Sequence, residues 1–400
     1  MMKKGPVARL AVAWCTLFVV GTDLFVVSPL LPLIAGDLNL RPAAAGLSVT
    51  AFALTYMIAA PLLGHMADRW GRRPMLTWSL IGFAAANLAT AAAPSLGWLL
   101  AARIVAGAMT AGVSPSIYAL VGDSAPPARR ATWMAIAVSG LLVSLCAGAP
   151  LGGLVGASFG WTKVFAGLAG LSLVLILANR WVWQAHALSA PAAAGDRVAL
   201  PGSVALRLLP TVVWATALYG MYTYLGAWLI RLGYSIEQVA QVITFYGCGA
   251  IVGALAGGRI ADRLGPKAAT GVSLIGLFAA FLLLPLTLGS GVLMMIGFGL
   301  ASAVAQIFFP AQQAALVRDF PARRASVLAW NNSSLFLGIA LGSLVGGQTI
   351  AHGSFAANLL ICAAIAFIGL LLTLKVMPAQ PRQDAPLLFG SAGRGESPAP

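Results

Sequence analysis

Hydrophobic positions in this chain fall into twelve long runs, and strand-like alternation is absent. The runs cover residues 11–34, 43–63, 75–94, 98–122, 132–157, 162–183, 208–230, 237–257, 268–289, 291–316, 325–350 and 354–375. Each run reaches the roughly 20 residues that an α-helix needs to cross a bilayer. Lipid offers no partner to an unpaired backbone group, so such runs predict helices. We therefore predict an all-α membrane protein with twelve transmembrane helices.

The polar stretches between the runs repeat at one offset. Residues 64–73 (GHMADRWGRR) share their Gly, Ala, Asp, Arg, Gly and final basic positions with residues 258–267 (GRIADRLGPK), 194 positions later. The sequence PARRA at 127–131 recurs at 321–325 with the same offset. Repeats at a fixed offset indicate a duplicated unit. We therefore predict two pseudo-symmetric six-helix bundles.

The composition between and after the bundles predicts the domain boundaries. We assign residues 1–185 to the first half, 186–206 to a cytoplasmic linker, 207–377 to the second half and 378–400 to a tail. The linker and the tail are rich in Ala, Pro and Gly. Such segments bury too little apolar surface to fold, so we expect a disordered cytoplasmic tail.

Charge is scarce and unevenly placed. Hydrophobic residues make up 60% of the chain and charged residues 8%, against about 25% charged in soluble proteins. The net charge of +14 lies in short loops and not on a clustered basic face, so we expect no nucleic-acid partner. Of the 24 lysines and arginines, only Arg41, Lys163 and Arg231 fall on the side opposite to the termini, and Arg103 falls inside a run. This asymmetry predicts that both termini are cytoplasmic.

The sequence contains no recognisable catalytic arrangement. The four cysteines lie singly inside apolar runs, which predicts packing residues and neither disulfides nor metal ligands. No G-x-x-x-x-G-K-[ST] loop and no evident Ser/His/Asp arrangement occurs. We therefore expect neither an enzyme nor an ATP-driven pump, and no cofactor or metal.

Two charged residues lie deep inside the runs, away from the run ends. Asp23 falls near the middle of the first run, and Arg103 falls in the fourth. An ionisable residue in the membrane is costly and by default marks a functional site. We predict that Asp23 carries a coupling proton and that Arg103 acts with it. The alternative is a buried structural pair, because buried charges are usually paired whatever their role.

These motifs resemble those of a known family over about residues 7 to 377. Residues 64–73 match the signature G-x-x-x-D-[RK]-x-G-[RK]-[RK] that the major facilitator superfamily carries between helices two and three. Residues 99–107 (LLAARIVAG) resemble its helix-four arginine motif, and residues 148–153 (GAPLGG) resemble the helix-five motif of its antiporters. Asn331-Asn332-Ser333-Ser334 resembles the drug-efflux branch. The chain is thus similar to the twelve-helix drug:proton antiporters of this superfamily.

The resemblance implies a gating role for both copies of the repeated loop. The loop would latch the cytoplasmic sides of the two halves together and release them as the cavity opens inward. The residues concerned are Gly64, Asp68, Arg69, Gly71, Arg72 and Arg73, with Gly258, Asp262, Arg263, Gly265 and Lys267 in the second copy. The alternative for Asp68 is a helix cap just before the third run, where a carboxylate accepts free backbone N–H groups.

The helix-five motif predicts close helix packing. Gly148, Gly152 and Gly153 let backbones approach closely, and Pro150 bends the helix. We expect this packing between the two halves. The matching positions 342, 346 and 347 in the second half are also glycines.

Candidate substrate contacts come from four helices. Thr110 and Ser114 share one face of the fourth run with Arg103 and Gly107, and this small polar face predicts a cavity lining. The alternative is a packing seam of small residues. The resemblance implies that helices one, four, seven and ten line a central cavity, and the further candidates are Tyr222, Gln306, Gln313 and Asn331.

Together these features predict a secondary transporter of the inner membrane. We expect proton antiport to drive the export of small, largely apolar, drug-like compounds by alternating access. Multidrug efflux and antibiotic resistance would follow. The partners are a small-molecule substrate, protons and lipid, and we expect a monomer powered by the proton gradient. The alternatives are a sugar or metabolite transporter of the same fold and a membrane sensor without transport.

Overall fold

The computed structural model describes residues 5–126, 129–183 and 202–377, and every element in these ranges is helical. The α-helices are α1 Pro6–Phe25, α2 Val27–Asp37, α3 Pro42–Trp70, α4 Arg72–Ala91, α5 Leu96–Ser124, α6 Arg130–Val143, α7 Ala149–Phe159, α8 Trp161–Val182, α9 Gly202–Tyr222, α10 Leu225–Arg231, α11 Ile236–Leu264, α12 Pro266–Leu283, α13 Gly291–Gln306, α14 Phe308–Asp319, α15 Arg324–His352 and α16 Phe355–Val376. A π-helical segment, Ser144–Gly148, joins α6 to α7. The predicted tail and most of the predicted linker lie outside the described residues, and the end of that linker from Gly202 belongs to α9.

These helices reproduce the twelve predicted runs. Four runs consist of two successive helices each, namely α1/α2, α6/α7, α9/α10 and α13/α14. Within the described ranges, 11 helical segments are long and apolar enough to cross a membrane. The remaining run is α4, which begins with Arg72 and Arg73 and contains Asn87. The predicted all-α transmembrane fold is confirmed.

Prolines account for three of the four broken runs. Pro29 has no amide hydrogen to donate to the carbonyl of Phe25, four residues earlier, and α1 ends at Phe25. Pro310 has the same spacing from Gln306, the last residue of α13. Pro150 follows the π-helical segment, so the bend predicted there takes the form of a local π-helical turn.

The helices form two bundles with equivalent internal contacts. In the first bundle, Arg73 donates a hydrogen bond of 2.7 Å to the carbonyl of Arg180 at the end of α8. In the second bundle, Lys267 donates one of 3.0 Å to the carbonyl of Leu374 at the end of α16. Both donors and both acceptors are 194 positions apart in the sequence. A duplicated unit predicts such equivalence, with a cation stabilising the negative end of each helix dipole.

In the described residues the two bundles meet where α3 packs on α15, where α2 packs on α10, and where α11 packs on α7, the π-helical segment, α6 and α2. Because successive spans alternate in direction, both ends of the described chain lie at one membrane face, which we call the terminal face. We call the opposite face the distal face. The short helices α2 and α10 pack against each other on the distal side, where a Cβ at Gly226 would lie 2.5 Å from the carbonyl oxygen of Ser28.

Candidate functional site

A buried ion pair lies at the end of α1. Asp23 is in the last turn of that helix, and Arg103 is two turns into α5. Nη1 of Arg103 lies 2.8 Å from Oδ1 of Asp23, and Nη2 lies 3.1 Å from Oδ2. The exposed fractions are 0% for Asp23 and 1% for Arg103. This two-point contact is the strongest geometry available to a guanidinium and a carboxylate.

Aromatic rings surround the guanidinium group. Its Cζ atom lies 4.6 Å from the ring centroid of Phe52 on α3 and 5.5 Å from that of Phe165 on α8. These rings exclude water and add cation–π attraction. Both charges have left water, so each depends on the other, and removing one partner of such a pair costs about 3–5 kcal/mol. The proton-carrying role of Asp23 stays a prediction.

Tyr222 lies in the contact between the halves and not on an open cavity wall. Its side chain is buried, and its hydroxyl donates a hydrogen bond of 3.1 Å to the carbonyl of Phe25. This is the carbonyl that receives no helical hydrogen bond because Pro29 has no amide hydrogen. Ser28 donates in the opposite direction, with 2.6 Å between its Oγ and the carbonyl oxygen of Tyr222. The ring stacks on Tyr246 at 5.2 Å. The predicted substrate contact at Tyr222 is therefore an inter-half contact in this conformation. Sequence reasoning missed Ser28, although the repeat offset pairs it with Tyr222.

Asn331, the predicted substrate contact, bonds within its own half, and its neighbour Asn332 faces the other half. Asn331 is fully buried and accepts a hydrogen bond of 2.6 Å from Thr211 within its own half. Asn332 donates one of 3.0 Å to the hydroxyl of Tyr56 on α3. The ring of Tyr56 also stacks on Phe336, with 3.5 Å between centroids. These three residues form a polar and aromatic contact between the halves that sequence reasoning did not identify.

The predicted face of α5 combines packing with unused polar groups. A Cβ at Gly107 would collide with the carbonyl oxygen of Phe52, so α5 and α3 touch there, as the packing alternative predicts. Thr110 and Ser114 are buried. Within the described residues, the hydroxyl of Thr110 has no hydrogen-bond partner. This hydroxyl remains available to a ligand or a water molecule.

The two predicted glutamines lie on either side of the break near Pro310. Gln306 ends α13 and Gln313 lies in α14, and both are partly exposed. Their neighbour Gln312 is fully buried and donates a hydrogen bond of 2.8 Å to the carbonyl of Arg207. The partly exposed pair remains a candidate for ligand contact, whereas Gln312 holds α14 against α9.

The glycine motif packs helices inside the first half, which corrects the expected position between the halves. A Cβ at Gly148 would collide with Thr22, and one at Gly152 would collide with Val26. A Cβ at Gly153 would come within 2.9 Å of Pro29. All three glycines thus face the broken span α1/α2, which carries Asp23. The motif determines how tightly that span is held.

The repeated charged stretch is mostly helical. α3 continues through Trp70 and α11 through Leu264, and the chain turns at Gly71 and Gly265, where φ is 92° and 84°. Positive φ favours glycine. The N-cap residue of α4 is Gly71, three positions after Asp68, so the capping role of Asp68 stays a prediction. The side chain of Asp68 lies outside the described residues.

The contacts of this stretch lie within each half. Arg72 pairs with Asp123 on α5. Lys267 donates to the carbonyl of Met377 at 2.6 Å in addition to its contact with Leu374. The side chains of Arg69, Asp262 and Arg263 are exposed at the terminal face. The structure therefore shows anchoring within each half, and the latch between the halves stays a prediction.

Comparison with known proteins identifies relatives over nearly the whole chain. The profile of the Major Facilitator Superfamily matches residues 13–304 and 230–394. An uncharacterized MFS-type transporter, YceJ of Bacillus subtilis, is 30% identical over 349 residues, which are 85% of this chain and 88% of YceJ. A chloramphenicol resistance protein of Streptomyces lividans is 28% identical over 384 residues, which are 90% of this chain and 94% of that protein.

Solved structures share the fold at low identity. The nucleoside transporter NupG superposes with a TM-score of 0.76 at 14% identity, covering 93% of this chain and 99% of NupG. A bacterial homologue of the human lysosomal transporter Spinster, solved inward-facing and unoccupied, gives a TM-score of 0.71 at 17% identity. That match covers 94% of this chain and 100% of the homologue. At these identities the likeness shows the fold alone.

Proposed function

The chain belongs to the Major Facilitator Superfamily and is a multi-pass membrane transporter, and we propose that it exports small, largely apolar compounds in exchange for protons. The observation that carries this proposal is the buried pair of Asp23 and Arg103. A structural pair deep in a span is costly compared with apolar packing. A role in proton coupling would explain why this site holds a charged pair and not apolar side chains.

The proposed cycle uses the position of Asp23 in the broken span α1/α2. Asp23 lies two residues before Phe25, whose carbonyl accepts the hydroxyl of Tyr222 from the other half. With the distal face open, Asp23 takes up a proton, its two-point contact with Arg103 weakens and the substrate leaves. The cavity then opens to the terminal face, where the proton departs and new substrate binds. The requirement is that proton and substrate stabilise different states.

The proposed substrate class is supported by the polarity of the residues predicted to line the cavity. Thr110, Gln306 and Gln313 offer a few polar groups among helices that are otherwise apolar. Tyr56 and Asn332 add an aromatic face and an amide at the junction of the halves. Pockets that are mostly apolar with a few polar groups suit drug-sized ligands. The similarity to a chloramphenicol resistance protein favours efflux among the possible directions.

The orientation follows from the charge asymmetry of the loops. Lysines and arginines crowd the terminal face, and positive residues accumulate on the cytoplasmic side of a membrane. We therefore place both termini in the cytoplasm and the protein, as a monomer, in the inner membrane. In this orientation the exposed Arg69, Asp262 and Arg263 lie at the cytoplasmic surface. They would meet the opposite half when the cavity faces outward.

The test uses inverted membrane vesicles that are acidic inside and contain a pH-sensitive dye. Chloramphenicol and a panel of lipophilic drugs are added to vesicles with the wild type, Asp23→Asn or Asp37→Asn. Asp37 is a matched control, because it lies on the same broken span and accepts a hydrogen bond of 2.9 Å from Trp161, which an asparagine oxygen can also accept. Gel filtration measures the folded fraction of each variant, and equal amounts of folded protein are compared.

We expect a drug to dissipate the proton gradient with the wild type and with Asp37→Asn but not with Asp23→Asn. Full coupling in Asp23→Asn would overturn the proton site. If no drug affects the gradient in any variant, efflux gives way to the alternative of sugar or metabolite transport.

A further inference from the structure

Two thiols from opposite halves lie side by side. Cys146 belongs to the π-helical segment between α6 and α7, and Cys248 lies in α11. Their Sγ atoms are 3.6 Å apart. Each cysteine is alone in its run, so the sequence predicted separate packing residues. The structure instead places the two thiols together across the interface of the halves.

The backbones approach closely at this point. A Cβ at Gly247 would collide with the backbone of Cys146, so only a glycine lets α11 lie this near to the π-helical segment. A disulfide requires Cα atoms within about 4.4–6.8 Å of each other. Close approach of the two backbones favours that geometry, and a small movement of the sulfur atoms would complete the bond.

The pair is accessible from the surface of the protein. Cys248 is exposed and Cys146 is partly exposed. Both lie in the interior of segments long enough to span the membrane, which places the pair at the depth of the lipid tails. A reagent dissolved in the bilayer can therefore reach both thiols. Cys15 on α1 is also exposed, whereas Cys362 on α16 is buried.

The duplication does not explain the pair. The positions that correspond to Cys146 and Cys248 at the repeat offset are Ala340 and Leu54, on α15 and α3. The equivalent interface between the halves therefore has no thiol. Only the α7–α11 side carries groups that can be joined covalently.

We propose that Cys146 and Cys248 form a reversible oxidation site that ties the two halves together and holds the transporter closed at its distal face. The oxidant would be a quinone in the bilayer. The two S–H bonds break, one S–S bond forms, and the quinone takes up the two electrons and two protons to become a hydroquinone. Alternating access requires movement between the halves, so a covalent bond between α11 and the π-helical segment stops the cycle.

The covalent link is tested in the full-length protein carrying Cys15→Ser and Cys362→Ser, reconstituted in liposomes. The oxidant is tetramethyl-1,4-benzoquinone, which has no free ring position for thiol addition. Cyanogen bromide then cleaves the chain after methionines 134, 221 and 294, which releases fragments 135–221 and 222–294. Each fragment carries one of the two cysteines. We expect the fragments to be joined after oxidation, to separate with dithiothreitol, and never to be joined in Cys146→Ser or Cys248→Ser.

The closed state is tested without any substrate. Hydrogen exchange is followed at residues 27–37 and 225–231, where α2 meets α10. We expect oxidation to slow exchange there at least tenfold, dithiothreitol to reverse this, and Cys248→Ser to show no effect. Absence of the joined fragments overturns the site. Joined fragments with unchanged exchange overturn its role as a lock. Neither readout depends on proton coupling, so either failure is distinguishable from failure of the proposed function.

Discussion

Ser28 donates a hydrogen bond of 2.6 Å to the backbone carbonyl of Tyr222, which lies 194 residues further along the chain. This separation equals the offset of the internal repeat, so equivalent positions of the two halves touch each other. The contact lies where both the first and the seventh spans are broken. The pseudo-two-fold axis therefore passes close to this hydrogen bond, and separation of the halves at this point must break it.

Replacing Ser28 with alanine removes the donor and leaves the carbonyl of Tyr222 without this partner. We expect a loss of about 1–3 kcal/mol in the free energy of unfolding, the usual cost of an unsatisfied buried group. Ser48→Ala is the matched control, because Ser48 is buried and its hydroxyl has no partner within the described residues. Denaturation in detergent should show a change for Ser28→Ala only; equal effects of both substitutions would contradict this prediction.

The hydroxyl of Tyr222 should matter through the carbonyl of Phe25. Tyr222→Phe keeps the aromatic stack but removes the hydroxyl that donates to the carbonyl of Phe25. Pro29 cannot donate to this carbonyl either, so we expect a loss of about 1–3 kcal/mol in the free energy of unfolding. In the double variant with Ser28→Ala, the loss in the free energy of unfolding should differ from the sum of the two single losses. The reason is that both hydrogen bonds connect the break in the first span to the break in the seventh. Tyr219→Phe, on the same helix, is the control. Strict additivity in the double-mutant cycle would show that the two bonds act independently.

The pair of Asp23 and Arg103 should behave as one unit in stability measurements. Asp23→Asn or Arg103→Gln alone leaves a buried charge without its partner, and we expect each to cost about 3–5 kcal/mol. The double variant should recover at least half of the loss, because it buries no charge. Thermal unfolding followed by tryptophan fluorescence measures this. A double variant as unstable as the sum of the single variants would refute the coupling.

Packing at Gly107 should tolerate no added carbon atom. In Gly107→Ala the new Cβ meets the backbone carbonyl of Phe52, so α5 and α3 must move apart, at a cost of about 1–3 kcal/mol. Gly170→Ala on α8 has open space around it and should instead gain up to about 1 kcal/mol, because alanine favours helix more than glycine does. Opposite signs of the two shifts in unfolding temperature are the expected outcome.

Several features followed from the sequence because they depend on distance along one helix or on solvent. The length of the apolar runs matched the bilayer, which led to the predicted spans, and Pro150 predicted the bend at the end of the π-helical segment. The repeat at 194 residues predicted the equivalence that Arg73 and Lys267 display at the ends of α8 and α16. Asp23 and Arg103 stood out because a charge inside an apolar run is expensive in lipid.

Tertiary structure decided which helix each face meets. One residue along a helix turns the side chain by about 100°, so Asn332 reaches Tyr56 while Asn331 bonds within its own half. Sequence spacing contains no such information about distant helices. For the same reason the glycines of α7 proved to face α1/α2, Tyr222 proved to join the halves, and Cys146 proved to lie beside Cys248. The chain alone determined the spans and their duplication, whereas packing between helices determined the contacts that a transport cycle would have to break.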